Sequence, residues 1–245
     1  KQVAYLAQGQ LWLANADGSA PRQLTSLNGG ASGPVWSPTG EYIAFTTTVY
    51  PECSDNACNA AHDRAQAANK VKARVTESLM YRHWNSWGDG TRSHLFVVAT
   101  NGSTMRDLTA GARYDVPVPP FGGSEGYAFS PDGHELAYTA KDAGREEAWS
   151  TDVNVYTVPV AGGAPTVITA SSKGADQNPA YSPDGRFIAY ASQARAGFEA
   201  DRWRLMMYDR TSRSARELVP AWDRNAESYF FAPDGRTLFV GTGDR

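Results

Sequence analysis

The sequence predicts an all-β fold, a propeller of four-stranded antiparallel blades, on three observations. A Ser-Pro-Asp-Gly phrase recurs between apolar runs, two further alternating runs follow each such pair, and the phrases are spaced like blades. The phrases are Trp36-Ser37-Pro38-Thr39-Gly40, Phe129-Ser130-Pro131-Asp132-Gly133, Tyr181-Ser182-Pro183-Asp184-Gly185 and Phe231-Ala232-Pro233-Asp234-Gly235. Proline suits the first central position of a β-turn, Asp tolerates the second, and Gly supplies the left-handed dihedral that leads into the returning strand. Pro38, Pro131, Pro183 and Pro233 lie 93, 52 and 50 residues apart. The later spacings suit a propeller or solenoid, and the first carries about 43 additional residues, an insertion within one blade.

Taken in order, the chain opens with alternating runs at 3–6, 11–13 and 22–25, which are second, third and fourth strands without a first. A partial blade at 1–30 is therefore expected. Second strands follow each turn at 42–45, 136–138, 187–190 and 238–240. Third strands are predicted at 94–98, 153–158 and 204–208, and edge strands at 106–109, 166–169 and 215–219. Period-two alternation between turn residues is the strand signature, and four strands make a blade. The expected organisation is a blade over 31–110 with an insertion at 48–93, blades over 111–170 and 171–221, and a partial blade over 222–245, which reads as a truncated propeller.

Connections between first and second strands are always short, whereas those between second and third are long, near 47–93, 141–152 and 193–203. In a radial blade the long loops emerge on the face of the crossovers between blades, so expansion is confined to one face. Loops on a rigid scaffold are where binding residues concentrate. The insertion contains a run at 59–70 rich in helix formers and free of Gly and Pro, expected as a helix. Its aromatic segment at 79–87 is expected to pack.

A hydrophobic content of 41% with 11% aromatics allows a sizeable core, and the net charge of −3 argues against nucleic acid or an anionic membrane as partner. No apolar run approaches a membrane span or signal core, which predicts a soluble segment with any export signal already removed. Cys53 and Cys58 are the only cysteines, in one polar segment. The pair predicts a local disulfide and so a periplasmic or secreted protein; the alternatives are idle thiols or a metal site, for which His62 alone is a poor complement.

Chemistry is sparse. Gly122-Gly123-Ser124-Glu125-Gly126 matches a nucleophile-elbow pattern, but the strand before and helix after Ser124 are missing, and the repeat sets Ser124 opposite Ala31, Asp176 and Ala226. No catalytic residue is assigned. His62, His83, His94 and His134 show no metal-ligand spacing, and the loop at 161–164 lacks the pattern of a phosphate cradle. Neither metal nor cofactor is expected. His83, between Arg82 and Trp84, is the histidine worth testing against a packing role. Acidic residues beside aromatics on the expanded face, Glu146, Glu147 and Trp149 in one loop and Glu199, Asp201 and Trp203 in another, suit a ligand's ammonium group. Glu125 and Glu227 precede first strands near the axis. The competing reading is solvated charge paired with Arg145, Arg195 or Arg202.

The turn phrase followed by a third strand and an edge ending in Leu-Thr resembles the Tol-type propeller repeat, which also builds the propeller domain of prolyl oligopeptidase family serine peptidases. Tyr81-Arg82-His83-Trp84 and Ala148-Trp149-Ser150-Thr151 further resemble bacterial dipeptidyl and acylaminoacyl peptidases. The resemblance implies an exported exopeptidase that releases dipeptides or acyl-amino acids from peptide amino termini. It also implies a catalytic α/β-hydrolase domain downstream on the same polypeptide, and a propeller that gates entry. Peptide would be the substrate, with Glu125, Glu146, Glu147, Trp149 and His83 as binding residues. In the best-known dipeptidyl peptidases the amine-binding Glu pair precedes a first strand; here Glu146-Glu147 follows a second strand and Glu125 stands alone. The alternative is a non-enzymatic periplasmic Tol-type propeller that binds partner proteins. Exposed blade edges predict self-association.

Overall fold

A computed structural model describes residues 1–71, 73–76 and 79–243. Strands β1 (Gln2–Ala7), β2 (Gln10–Asn15) and β3 (Arg22–Gln23) form the first sheet. The second contains β4 (Ser32–Trp36) and β5 (Tyr42–Val49). After helix α1 (Asn56–Ala68) and a small hairpin, β6 (Arg82–His83) with β7 (Ser86–Trp87), it resumes as β8 (Arg92–Ala99) and β9 (Met105–Asp107). The third is β10 (Tyr127–Phe129), β11 (Glu135–Ala140), β12 (Asn154–Pro159) and β13 (Thr166–Val167); the fourth is β14 (Asp176–Tyr181), β15 (Phe187–Ser192), β16 (Arg204–Asp209) and β17 (Ser214–Glu217). A final pair joins β18 (Ser228–Phe231) to β19 (Leu238–Gly241). Each sheet follows chain order and every pairing is antiparallel, as expected of blades. Among the described residues no helix is long and apolar enough to cross a membrane.

The turn phrase works as its residues suggest. Gly40, Gly133, Gly185 and Gly235 have φ between 69° and 74°, where a side chain would be strained, and each donates its N–H to the carbonyl three residues back. The serine seals the hairpin from inside. Buried Ser130 Oγ accepts from Glu135 N at 3.0 Å, Ser182 from Phe187 N at 2.9 Å and Ser37 from Tyr42 N at 3.0 Å. At the other end of the sheet a threonine does a similar job: Thr25, Thr109 and Thr169 Oγ1 accept from Leu11, Leu95 and Val155 N at 2.9, 3.0 and 3.0 Å. This is the physical content of the Leu-Thr edge ending, since each hydroxyl satisfies a buried amide that the short edge strand leaves unpaired.

The core lies in the seams between sheets. Leu11, Leu13, Ile43 and Phe45 fill the first seam, Leu95, Tyr127, Leu136 and Tyr138 the second, and Ala137, Val155, Ile188 and Tyr190 the third. Arginines lace the seams at their rims: Arg22 donates to the carbonyl of Thr100, and Arg106 to that of Val160 at 2.8 Å. One local expectation needs correction, and one element is additional to those expected. Helix α1 starts at Asn56, because Asp55 caps it by accepting from Cys58 N at 2.8 Å, so Cys58 lies in its first turn. The β6–β7 hairpin was not expected from composition: its strands are two residues long and Trp84 takes a positive φ of 47° with no glycine to announce the turn.

One buried acid breaks the pattern. Asp176 sits at the position occupied by Ala31 and Ala226 in other units; it is fully buried, and among the described residues no donor reaches either carboxylate oxygen in hydrogen-bonding geometry. Burial pushes its carboxyl up to about 6, although the nearby Ser192, Ser172 and Thr169 hydroxyls favour the ionised form. The folded chain thus binds this proton more tightly than the unfolded chain. Below about pH 4 the group costs nothing; stability falls as pH rises through about 6 and stays lowered above it. Asp176→Asn should stabilise the protein by about 2 kcal/mol at pH 8 and far less at pH 4, read from unfolding curves at both; equal effects at the two pH values contradict the assignment.

Candidate functional site

The long loops and the crossovers converge on the face opposite the Ser-Pro turns. Strands β5 and β8 run on to Val49 and from Arg92, so the excursion between them occupies 50–91. A Cys53–Cys58 disulfide braces its start, with Cα atoms 5.5 Å apart. The His62 ring nitrogen lies within 4.8 Å of both sulfurs, but bonded sulfurs are not thiolates and His62 remains the only donor. Helix α1 is tied down through buried Asn59, whose Oδ1 accepts from Tyr50 N at 2.7 Å, and through the Tyr50 hydroxyl, which donates to Asp63 at 2.9 Å. Burial and then Asp63 push the Tyr50 phenol up to about 12. Asn56 locks the helix onto the first crossover by accepting from Asn28 N at 2.7 Å.

Beyond the helix, Tyr81 stacks on Trp87 at 5.9 Å, Arg74 lies 5.2 Å over the same indole, and Trp84 meets Phe121 of the next crossover edge-on at 5.8 Å. The expected packing of this aromatic segment is met only by these pairwise ring contacts: Trp84 and Phe121 remain 66% and 82% exposed, so the segment forms a surface cluster instead of filling a core. Between it and the loop after β11 opens a cavity of about 560 Å³. Arg92 anchors the wall: its Nη1 pairs with Asp115 at 2.9 Å, and its two terminal nitrogens reach Glu147 at 3.3 and 3.2 Å. Burial works against the Arg92 charge, but Asp115 and Glu147 outweigh it and hold the guanidinium above its usual range. Lys141 Nζ closes the loop by donating to the Glu147 carbonyl at 2.7 Å.

The sequence-derived candidates do not form one constellation. Glu147 lines the cavity already neutralised by Arg92. Glu146, in a 3-10 turn at Gly144–Glu146, and Trp149, 63% exposed, lie on the same loop but outside the cavity wall. Glu125 occupies a separate depression of about 180 Å³ beside Pro117, Thr139 and Asn178, where its Oε1 accepts from Gly123 N at 2.9 Å. His83 lies on β6 with its ring 4.7 Å from Trp84 and a buried Nε2 that has no partner among the described residues. Ser124 opens a 3-10 turn, Ser124–Gly126, leading straight into β10, which is not the strand-to-helix setting of an elbow. Of the suggested surface pairings, Arg195 binds Asp201 at 3.0 Å and Arg202 binds Glu217 at 2.9 Å, while Arg145 has no acidic partner within 4.0 Å among the described residues.

Sequence reasoning missed Arg92, Arg113 and Lys141 at the cavity. Their signal was weak: single basic residues scattered over three segments that only the fold brings together. A third hollow, about 590 Å³ and lined by Leu205, Leu218, Trp222, Leu238 and Val240, is the apolar seam between the fourth sheet and the last strand pair. It is the most apolar of the three, yet it carries no convergent polar groups. Because the Arg92–Glu147 pair is bidentate and half-buried, Arg92→Gln and Glu147→Gln should couple by about 1 kcal/mol in a double-mutant unfolding cycle. Coupling near zero contradicts the neutralised assignment of Glu147.

No family model matches the chain. Dipeptidyl-peptidase 5 of Porphyromonas endodontalis is 32% identical over 215 residues, covering 84% of this chain and 30% of that protein. Dipeptidyl-peptidase 5 of Trichophyton equinum is 28% identical over 256 residues, covering 96% and 35%. The chain therefore spans about a third of the length of these relatives. Among solved structures, the acylaminoacyl peptidase of Pyrococcus horikoshii superposes with a TM-score of 0.60 at 12% identity, covering 94% of this chain and 32% of that one. TolB of Acinetobacter baumannii superposes at 0.52 with 16% identity, covering 94% and 42%. The structural likenesses establish the fold; with the dipeptidyl-peptidase relatives added, the chain is a peptidase propeller domain of the prolyl oligopeptidase family, built on Tol-type repeats.

Proposed function

We propose that this propeller binds and screens substrate for an exported serine exopeptidase that releases dipeptides or acyl-amino acids from peptide amino termini. The catalytic Ser, Asp and His are assigned to an α/β-hydrolase domain on the same polypeptide. The observation that carries the reading is the gathering of the disulfide-braced insertion, the crossover at 111–126 and the loop after β11 on one face, in a chain whose relatives are dipeptidyl peptidases. A face so elaborated suits docking against a second domain with substrate between them. The disulfide supports a periplasmic or secreted location. The Tol-type binding alternative has only the shared fold in its favour.

Amine recognition falls on Glu125 and Glu146, which form no ion pair among the described residues, rather than on Glu147. A free substrate amine would meet an unspent carboxylate at either. In the full-length protein, assayed on dipeptidyl and acyl-peptide reporters, Glu125→Gln or Glu146→Gln should raise KM for free-amine substrates about tenfold and change acetylated substrates little. Equal losses on both substrate types remove amine recognition; hydrolysis of neither by the unmodified protein removes the exopeptidase reading.

A further inference from the structure

We infer that the cavity between the insertion and the loop after β11 binds the free α-carboxylate of a short peptide through Arg113 and Arg145. Among the described residues, four cationic side chains, Arg92, Arg113, Lys141 and Arg145, line it against three acidic ones, Glu52, Asp142 and Glu147. Arg92 and Glu147 neutralise each other, Glu52 is turned towards His62 at 4.0 Å, and Asp142 is exposed with no ion pair among the described residues, which leaves three cationic side chains against it. Among the described residues no carboxylate lies within 4.0 Å of Arg113, Arg145 or Lys141. Lys141 is tethered to the Glu147 carbonyl, which leaves the two exposed guanidiniums as the forks open to a ligand. A planar guanidinium is the group best matched to a carboxylate, which it binds through paired N–H donors.

Part of the lining is apolar. Leu79, Met80 and Tyr81 face the same space and are 50%, 41% and 39% exposed. A cavity lined by both apolar side chains and guanidiniums without acidic partners among the described residues fits a terminal residue with a hydrophobic side chain and a free carboxylate. A volume of about 560 Å³ is in the range of small-ligand sites. The choice of a peptide as ligand rests on the peptidase-propeller reading; the polarity of the bound end is independent of it, and is the opposite of the amine end assigned to Glu125 and Glu146.

The test is calorimetric titration of the protein with Ala-Ala-Ala-Leu as free acid and as carboxamide. The acid should bind at least about tenfold more tightly, because the amide forfeits a charge-assisted pair. The difference should shrink to less than about twofold in Arg113→Gln/Arg145→Gln and persist in Arg216→Gln, an exposed edge-strand control on β17, with thermal midpoints unchanged in both. Equal affinity for acid and amide, or a preference untouched by the double substitution, overturns the carboxylate site while leaving peptide handling intact. Binding of neither peptide overturns both.

Discussion

The Ser-Pro-x-Gly turn is the constraint from which the rest of this molecule follows. It closes first and second strands in the shortest possible way, with glycine at positive φ and, in three copies, a buried serine satisfying the returning amide. Nothing can be inserted there without losing both. The hairpins between third and fourth strands share that end, so every long connection is driven to the other one. Seams of Leu, Ile, Val and Tyr then hold neighbouring sheets at fixed distances and turn loops from separate sheets into one surface.

On that surface, charge is allocated by burial. Half-buried Arg92 cannot stand alone, so Asp115 and Glu147 converge on it, and the loop bearing Glu147 is fixed in the process. Exposed Arg113 and Arg145 need no partner because water supplies one. The same division separates Glu147 from Glu125 and Glu146. Asp176 is the exception: a buried acid with no well-placed donor among the described residues, at a position where two other units hold alanine and one holds Ser124, so that its repeat gives up stability at neutral pH.

Strand order, turn geometry and the disulfide were legible because each is a local property repeated or concentrated in the sequence. Four Pro-x-Gly phrases name the hairpins, alternation names the strands, and Cys53 and Cys58 have only each other. The site was less legible because it is assembled across repeats. Glu147 reads as a loop acid beside Trp149, and nothing local shows that Arg92, from the far end of a long insertion, neutralises it. Likewise the aromatic segment at 79–87 signals packing but not its partner, Phe121, which belongs to another crossover. The amino-terminal boundary of α1 was missed by three residues because Asp55 and Asn56 read as loop and only the cap geometry makes them the start of a helix.

The proposed function requires peptide to meet the loop-bearing face and no other. Hydrogen–deuterium exchange of the protein with and without a saturating short peptide measures this directly. Protection is expected in 50–91, 111–126 and 141–152, with no change at the turns 37–40, 130–133 and 182–185. Protection at those turns, or on the outer edge strands instead of the loops, would contradict it.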